Sequence, residues 1–217
     1  MTIADVFIIE SLAPEDEAAN RYEGQRLADF LRLAGKKPHY YYFRTKAELP
    51  NLLALFKQSD YRFLHISCHA SIDAIATTTE QMSYAEFSNF CAGYLPLRRA
   101  FFSACELGNE LFSSVLAAKN KGMHSIAAPA ENIFFDHAAA IWTAFYVSVF
   151  SHNAGKMTGA DIKQRIETLC TLFPVDFHVS TYHPALDKWH HNLIKKQQLT
   201  GNGKGGKGID AQADTAA

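Results

Sequence analysis

Two short stretches of the sequence carry side chains that could do chemistry. FLHISCHASI, residues 63–72, ends an apolar run with two histidines, a cysteine and two serines, and RRAFFSACELG, residues 98–108, brings another apolar run to Ser-Ala-Cys-Glu. A cysteine attacks as its thiolate, and a neighbouring imidazole can take or share the thiol proton. His69 and Cys105 are therefore the candidate base and nucleophile of one site.

The segments around these stretches alternate between two kinds of pattern. Short β-branched or aromatic runs predict strands, and the segments between them have apolar residues at helical spacing. The predicted strands are residues 4–12, 38–45, 61–68, 98–105 and 121–129. This alternation predicts an α/β fold, a three-layer sandwich with a mainly parallel central sheet and right-handed crossovers.

A parallel sheet would bring the two candidate residues together. The strands that end near His69 and Cys105 are successive in the chain and separated by one crossover. In open parallel sheets the loops at the carboxyl ends of the strands converge, and helix N-termini point at the same crevice. We therefore expect His69 and Cys105 to meet at this edge, with the helix after Cys105 stabilising negative charge.

Four further elements are predicted from the pattern. Residues 15–37 are expected to form one helix, and residues 136–151 a long apolar helix that Asp136 caps. Residues 175–182 would form the last strand, a possible pairing edge in a dimer. Residues 184–199 would form a terminal helix whose inward side chains are Leu186, Trp189 and Leu193.

Composition limits the class of protein. The chain has 217 residues, of which 48% are hydrophobic, and a formal net charge of −1. We expect one domain over residues 1–199 and a disordered, glycine-rich tail over 200–217. The near-neutral balance offers no basic face for nucleic acid, and no apolar run reaches the roughly 18 residues of a membrane span. The acidic start of the sequence predicts a cytoplasmic protein, and the four cysteines lack CxxC pairing and should be free thiols.

Several of the polar residues have a structural interpretation. Side chains alternate along a strand, so Cys68 would face away from Ser67 and His69. Buried cysteines mostly act as small apolar side chains, and we assign this role to the other three cysteines, Cys68, Cys91 and Cys170. His65 is expected to be a hydrogen-bonded interior histidine.

Metal and phosphate sites are weaker hypotheses. His65, Cys68 and His69 with Cys105 could be read as metal ligands, but residues 65 and 69 lie about 13 Å apart on an extended strand, unless the strand has already ended near Ile66. GNGKGGKG, residues 201–208, has neither the preceding strand nor the following helix of a phosphate loop. We predict neither a metal nor a cofactor.

The residues quoted above carry a resemblance to a known family. FLHISCHA, then RRAFFSACELG, then HSIAAPAENIFFDHAAAIWTAFYVSVF resemble the caspase-like cysteine peptidases, specifically the CHAT domains related to caspases and separase. Phe145 and Tyr146 look like the aromatic pair of that family. The likeness extends over residues 3–183, and it implies a caspase-like fold.

The resemblance implies roles for individual residues. Cys105 would be the nucleophile and His69 the acid and base, and the backbone N–H groups of Ala70 and Cys105 would hold the oxyanion. Ala70 stands where the family has glycine, and Ser103 stands where relatives that cleave after Arg or Lys often have an acid. Glu10 and Glu106 are the remaining carboxylates that could reach a substrate pocket.

Together these inferences predict a cysteine endopeptidase that cleaves a protein substrate through an acyl-enzyme. By resemblance, an activating partner or sensor in trans would control it, and it could serve bacterial antiviral defence. One alternative is a catalytically inactive interaction module that binds a peptide or partner protein, to which the alanine at position 70 would point. Another is an acyltransferase or other thiol hydrolase with the same dyad.

Overall fold

The computed structural model describes residues 2–197. The predicted disorder of residues 200–217 and the predicted domain boundary at residue 199 lie outside the described residues. Within them, no helix is both long enough and apolar enough to cross a bilayer.

Seven strands form the main sheet, and two short strands form a separate hairpin. In chain order the strands are β1 (Ile3–Glu10), β2 (His39–Tyr42), β3 (Tyr61–Ser67), β4 (Ala74–Ala76), β5 (Gln81–Ser83), β6 (Arg99–Ser103), β7 (Ser125–Pro129), β8 (Phe177–His183) and β9 (Lys188–Ile194). The order across the main sheet is β2-β1-β3-β6-β7-β8-β9, and β4 pairs with β5. The pairings from β2 to β7 are parallel, and those of β8 are antiparallel.

Helices cover both faces of this sheet. They are α1 (Pro14–Ala18), α2 (Glu23–Leu33), α3 (Leu49–Gln58), α4 (Tyr84–Cys91), α5 (Glu110–Ala118), α6 (Phe135–His152) and α7 (Gly159–Leu172). Apolar side chains of α3, α4 and α5 pack on one face, and those of α2, α6 and α7 pack on the other. The predicted three-layer α/β sandwich with a mainly parallel central sheet is confirmed.

Alternation along the central strands divides the core into two layers. On β3, Leu64 and Ile66 belong to the layer under α3, α4 and α5, whereas Phe63 packs against α6. Both layers are apolar because a parallel sheet is covered on both faces. Cys68 belongs to the same layer as Leu64 and Ile66, as the alternation predicts.

The predicted single helix over residues 15–37 is wrong. The segment forms two helices, because Pro14 starts a short one and Asn20 adopts a left-handed φ of 56° that ends it. Helix α2 then starts at Glu23. The break turns α1 toward the carboxyl edge of the sheet, where its buried Asp16 meets His69.

The predicted terminal helix over residues 184–199 is also wrong in its described part. A short 3₁₀ turn is followed by Asp187 with a φ of 48°, and the chain returns as β9, antiparallel to β8. Leu186 and Leu193 are exposed, and Trp189 is only partly buried. Pairing with β8 overrides the local helical spacing. Strand β8 is thus flanked on both sides and is not the edge of the sheet.

Asp136 does not cap the long helix. The N-cap position of α6 is Phe134, and Asp136 lies in the first turn, where its carboxylate accepts a hydrogen bond from the His137 N–H. Its charge still lies at the helix N-terminus, where the helix dipole favours it.

Candidate active site

The carboxyl ends of β3 and β6 lie side by side and form the candidate site. Ser67 is the register partner of Ser103, and the ladder continues one residue further, since the Cys68 N–H donates to the Ser103 carbonyl at 3.1 Å. His69 and Cys105 follow these ends and line the same cavity, which has a volume of about 40 Å³. The structure thus places both residues at this edge of the sheet and in the lining of one cavity.

A carboxylate that the sequence did not point to holds His69. Nε2 of His69 lies 2.7 Å from Oδ2 of Asp16, and Oδ1 of Asp16 pairs with Arg21 at 3.1 Å. The His69 side chain is 42% exposed, whereas that of Asp16 is 11% exposed. The ring of Phe135 packs edge-on against the imidazole. Asp16 therefore fixes the orientation of a partly exposed histidine.

Cys105 lies in a tight turn directly after β6. The Ile133 N–H donates to its Sγ at 3.4 Å, and Sγ lies 3.6 Å from the Ile133 carbonyl oxygen. The predicted helix after Cys105 is present as α5, and residues 106–109 separate its first residue from Cys105. The backbone N–H of Ile133 is a donor that contacts the sulfur directly.

The turn is fixed by a close backbone approach at Gly108. Its N–H donates to the Pro129 carbonyl at 2.7 Å, and a Cβ atom at this position would lie 2.4 Å from the Ala128 carbonyl oxygen. Real Cβ atoms do not come this close to a backbone oxygen. Only glycine fits, and the turn that carries Cys105 rests on the end of β7.

Ala70 bridges to Ile75 next to the hairpin β4–β5. The hydrogen bonds of this bridge come from its neighbours, because Ser71 donates to Ala74 and the Ala76 N–H donates to the His69 carbonyl. The N–H of Ala70 is not used in the bridge. Ala70 is not among the described residues with a positive φ, so alanine adopts this backbone without strain.

A second carboxyl group missed by the sequence analysis lies at the floor of the cavity. Glu23, the first residue of α2, lines the cavity together with Ser67 and Ser103. The Ser67 hydroxyl donates to its Oε2 at 2.5 Å. Burial raises the pKa of Glu23 to about 7, opposed by hydrogen bonding from Ser67 and Ser103 and supported by the negative charge of Glu10.

This pKa makes stability depend on pH. Below pH 4.5, the ordinary pKa, the Glu23 carboxyl is protonated in both the folded and the unfolded protein. Between pH 4.5 and about 7 it stays protonated only in the folded protein. The free energy of unfolding therefore falls as pH rises through this window, by about 3 kcal/mol for the full span. Titratable groups near this carboxyl are Glu10, His65, Cys68 and Tyr146.

Glu23→Gln is expected to flatten this decline and to make the protein more stable than the wild type at pH 8. Urea unfolding of both proteins at pH 5 and pH 8 measures the difference. An equally steep fall of stability with pH in the variant would contradict the assignment of the raised pKa to Glu23.

Glu10 and Glu106 do not line the cavity. Glu10 is fully buried and accepts hydrogen bonds from the N–H groups of Gly24 and Gln25, at 2.7 and 3.2 Å, and from the Tyr40 hydroxyl. It binds the N-terminus of α2, which places it behind the cavity floor. Glu106 has a φ of 57° in the turn after Cys105. The structure therefore brings neither of these two proposed substrate-binding residues to the cavity.

The remaining sulfur and imidazole groups have structural surroundings. Burial raises the pKa of Cys68 and of Cys170 to about 12 and that of Cys91 well above its usual value. His65 is fully buried between Trp142 and Tyr146, its Nδ1 lies 3.3 Å from the Tyr146 hydroxyl, and burial lowers its pKa to about 3. The structural roles predicted for these residues are confirmed. Over residues 2–197, no group of three or more potential ligands is placed to hold a metal ion.

Comparison with known proteins identifies the fold. No known family model matches the sequence, and no curated protein matches it. The X-ray structure of a secreted C11 cysteine protease from Bacteroides thetaiotaomicron, iotapain, matches with a TM-score of 0.55 at 10% sequence identity. The match covers 83% of this chain and 66% of that protease, just under two thirds of its length. The chain therefore has an α/β fold with a mainly parallel seven-stranded sheet that matches the caspase-like fold of a C11 cysteine protease.

Proposed function

We propose that this chain is a cysteine endopeptidase with Cys105 as nucleophile and His69 as acid and base. The observation that carries the proposal is that both side chains line one cavity at the carboxyl ends of neighbouring parallel strands. The fold of the C11 protease is compatible with this chemistry, and the fold alone does not specify it.

The proposed reaction uses the two ring nitrogens of His69 differently. Asp16 engages Nε2, which leaves Nδ1 to take the proton of the Cys105 thiol. The sulfur then attacks the scissile carbonyl, and the N–H groups of Ala70 and Cys105 stabilise the oxyanion. The imidazolium returns the proton to the leaving amine, and water attacks the acyl-enzyme with the imidazole as base.

The finer assignments rest on the resemblance in the sequence. We propose a CHAT-type peptidase that acts on a protein substrate and is switched on by a partner in trans, with a role in bacterial defence. The cytoplasmic location and the absence of nucleic-acid and membrane partners stay predictions from composition.

The alternative function, a catalytically inactive interaction module, does not require a reactive thiol. A binding module can bury its cysteine or separate it from the histidine, whereas an enzyme needs an accessible thiol that faces the imidazole. Cys105 is only partly buried and shares its cavity with His69, while the other three cysteines are buried. This contrast favours the peptidase over the interaction module. It does not separate the peptidase from an acyltransferase, which would use the same dyad.

Limiting iodoacetamide tests the proposal. We expect Cys105 to react at least about tenfold faster than Cys68, Cys91 and Cys170, because burial keeps those three protonated and inaccessible. The measurement is intact mass over time, followed by peptide mapping.

A variant of His69 and a control variant of a surface histidine complete this test. His69→Ala is expected to slow the Cys105 reaction, whereas His190→Ala, on the exposed face of β9, should leave it unchanged. Cys105→Ala gives the background. If Cys105 reacts no faster than the buried cysteines, with or without His69, the proposed dyad is inactive.

A further inference from the structure

A buried arginine at the amino edge of the sheet, opposite the candidate active site, has no carboxylate partner. Arg99, the first residue of β6, is only 9% exposed, and within residues 2–197 it forms no ion pair with an acidic side chain. Its Nη1 donates to the Ser125 hydroxyl at 2.9 Å, and its buried Nε has no hydrogen-bond partner in the described chain. A buried charge without a partner is costly, and a bound counter-ion relieves that cost.

The protein does not neutralise this guanidinium. Burial lowers the pKa of Arg99 to about 10, helped by the positive charge of Arg62 and opposed by the negative charge of Asp161, so the group stays charged at neutral pH. Asp161 is engaged elsewhere, because its Oδ2 accepts hydrogen bonds from the N–H and the hydroxyl of Thr158, both at 2.7 Å. These hydrogen bonds lower the pKa of Asp161, and the charge of Arg165 lowers it further. The counter-charge for Arg99 must therefore come from outside.

The sheet register directs Arg99 toward the first turn of α7. Arg99 is the register partner of Ser125, and Ser125 is that of Thr181, so the three side chains lie in a row on one face of β6, β7 and β8. The first residue of α7 packs on this row, since a Cβ atom at Gly159 would lie 3.1 Å from Cγ2 of Thr181. The buried guanidinium and the N-terminus of α7 thus lie at the same corner of the sheet.

Two backbone donors of α7 have no partner at this corner. The N–H groups of Gly159 and Ala160, its first two residues, form no hydrogen bond within residues 2–197, whereas the N–H of Asp161 donates to the Thr158 hydroxyl. The helix has 14 residues, and its dipole favours an anion at this end.

Arg62, on β3, adds a second positive charge. Its Nε and Nη2 donate to Thr2, and its Nη1 donates to the Gly155 carbonyl, so it is held without an ion pair to an acidic side chain of the described chain. Burial lowers the pKa of His124, and the charges of Arg99 and Arg62 lower it further. The two guanidinium groups therefore act on the same surroundings and produce one positive potential.

We propose that this corner, formed by Arg62, Arg99 and the first two N–H groups of α7, is a binding site for a phosphate group. Phosphate oxygens accept hydrogen bonds from guanidinium groups and from helix N-termini at the same time. A phosphate dianion also balances two guanidinium charges, which a single carboxylate does not. The corner lies at the amino edge of the sheet, whereas His69 and Cys105 lie at the carboxyl edge, so this inference does not depend on the proposed peptidase function.

Calorimetric titration of the whole protein tests this inference. The probes are inorganic phosphate and phenyl phosphate, and acetate and chloride at matched ionic strength are the controls, because added salt screens any exposed charge. We expect one phosphate per chain with half-saturation at or below about 1 mM, and at least about tenfold weaker binding of acetate. If phenyl phosphate binds as well as inorganic phosphate, the site accepts organic phosphate esters. If inorganic phosphate alone binds, the site takes the free ion.

Arg99→Met is the matched variant, because methionine keeps an apolar stem and removes the charge. It is expected to raise the half-saturating phosphate concentration at least about tenfold. Phosphate should raise the thermal unfolding midpoint of the wild type but not that of the variant. Arg32→Gln removes the same charge from an exposed pair with Asp29 on α2 and should leave binding unchanged. Arg62→Gln, with an expected several-fold loss of affinity, serves if Arg99→Met does not fold.

The outcomes decide the inference without involving the active site. If phosphate binds no more tightly than acetate or chloride, or if Arg99→Met binds phosphate as tightly as the wild type, the inference is wrong. If Arg32→Gln loses as much affinity as Arg99→Met, net charge explains the binding and the inference is also wrong. Phosphate binding that is lost in Arg99→Met and retained in both Arg32→Gln and Cys105→Ala supports it. A negative result leaves the peptidase proposal as it stands.

Discussion

Gly108→Ala is expected to lower peptide hydrolysis by more than about 100-fold, because an added Cβ must push the Cys105 turn away from the end of β7. The atom would lie 2.4 Å from the Ala128 carbonyl oxygen and 2.6 Å from that of Pro129. Both neighbours are backbone atoms of a central strand and cannot give way cheaply. We expect a loss of stability of about 1–3 kcal/mol, measured by urea unfolding alongside kcat/KM.

Gly155→Ala is the control for this substitution. A Cβ at Gly155 would meet only the Asn153 side chain, at 3.8 Å, and the residue has no positive φ. Stability and hydrolysis should stay near the wild type. A Gly108→Ala protein with unchanged Cys105 alkylation and hydrolysis would show that the turn does not depend on the close approach to β7.

Asp16→Asn is expected to lower kcat by about 100-fold with little change in KM, because the amide cannot stabilise the imidazolium that forms when His69 takes the thiol proton. The carboxylate lies 2.7 Å from Nε2 of His69 and is mostly shielded from solvent. Hydrolysis kinetics with saturating and limiting substrate separate the two constants.

Arg21→Gln serves as the control for Asp16. Arg21 contacts the other carboxylate oxygen, and its own side chain is 57% exposed. Exposed ion pairs contribute at most about 1 kcal/mol, so activity should fall only a few-fold. If Asp16→Asn raises KM and leaves kcat unchanged, or if both variants lose activity equally, Asp16 does not act through His69.

The central elements were predictable because their patterns are local. Buried parallel strands read as continuous apolar runs, and the polar residues that end them at His69 and Cys105 stand out against that background. The hairpin of β8 and β9 was not predictable in the same way. The spacing of Leu186, Trp189 and Leu193 is helical, and pairing with β8 decides the conformation.

The acidic residues of the site could not be predicted from the sequence, for a different reason. Asp16 and Glu23 lie in a stretch that has the composition of one exposed amphipathic helix, where acidic residues are ordinary. Pro14 and Asn20 were the residues that indicated two helices instead of one. Because the segment forms two helices, α1 and α2 turn these carboxylates inward. Glu10 was predicted to be a substrate-binding residue because it lies at the end of β1, but its carboxylate oxygens accept hydrogen bonds from the N-terminus of α2.

The cavity floor and the reacting pair belong to different segments of the chain. Glu23 comes from the first turn of α2, whereas His69 and Cys105 follow β3 and β6. A substitution at the first residue of α2 would therefore change the cavity lining in a segment that carries neither the sulfur nor the imidazole. In evolutionary terms, the cavity lining and the proposed dyad are separately heritable, because one substitution in α2 leaves the residues at the ends of β3 and β6 as they are.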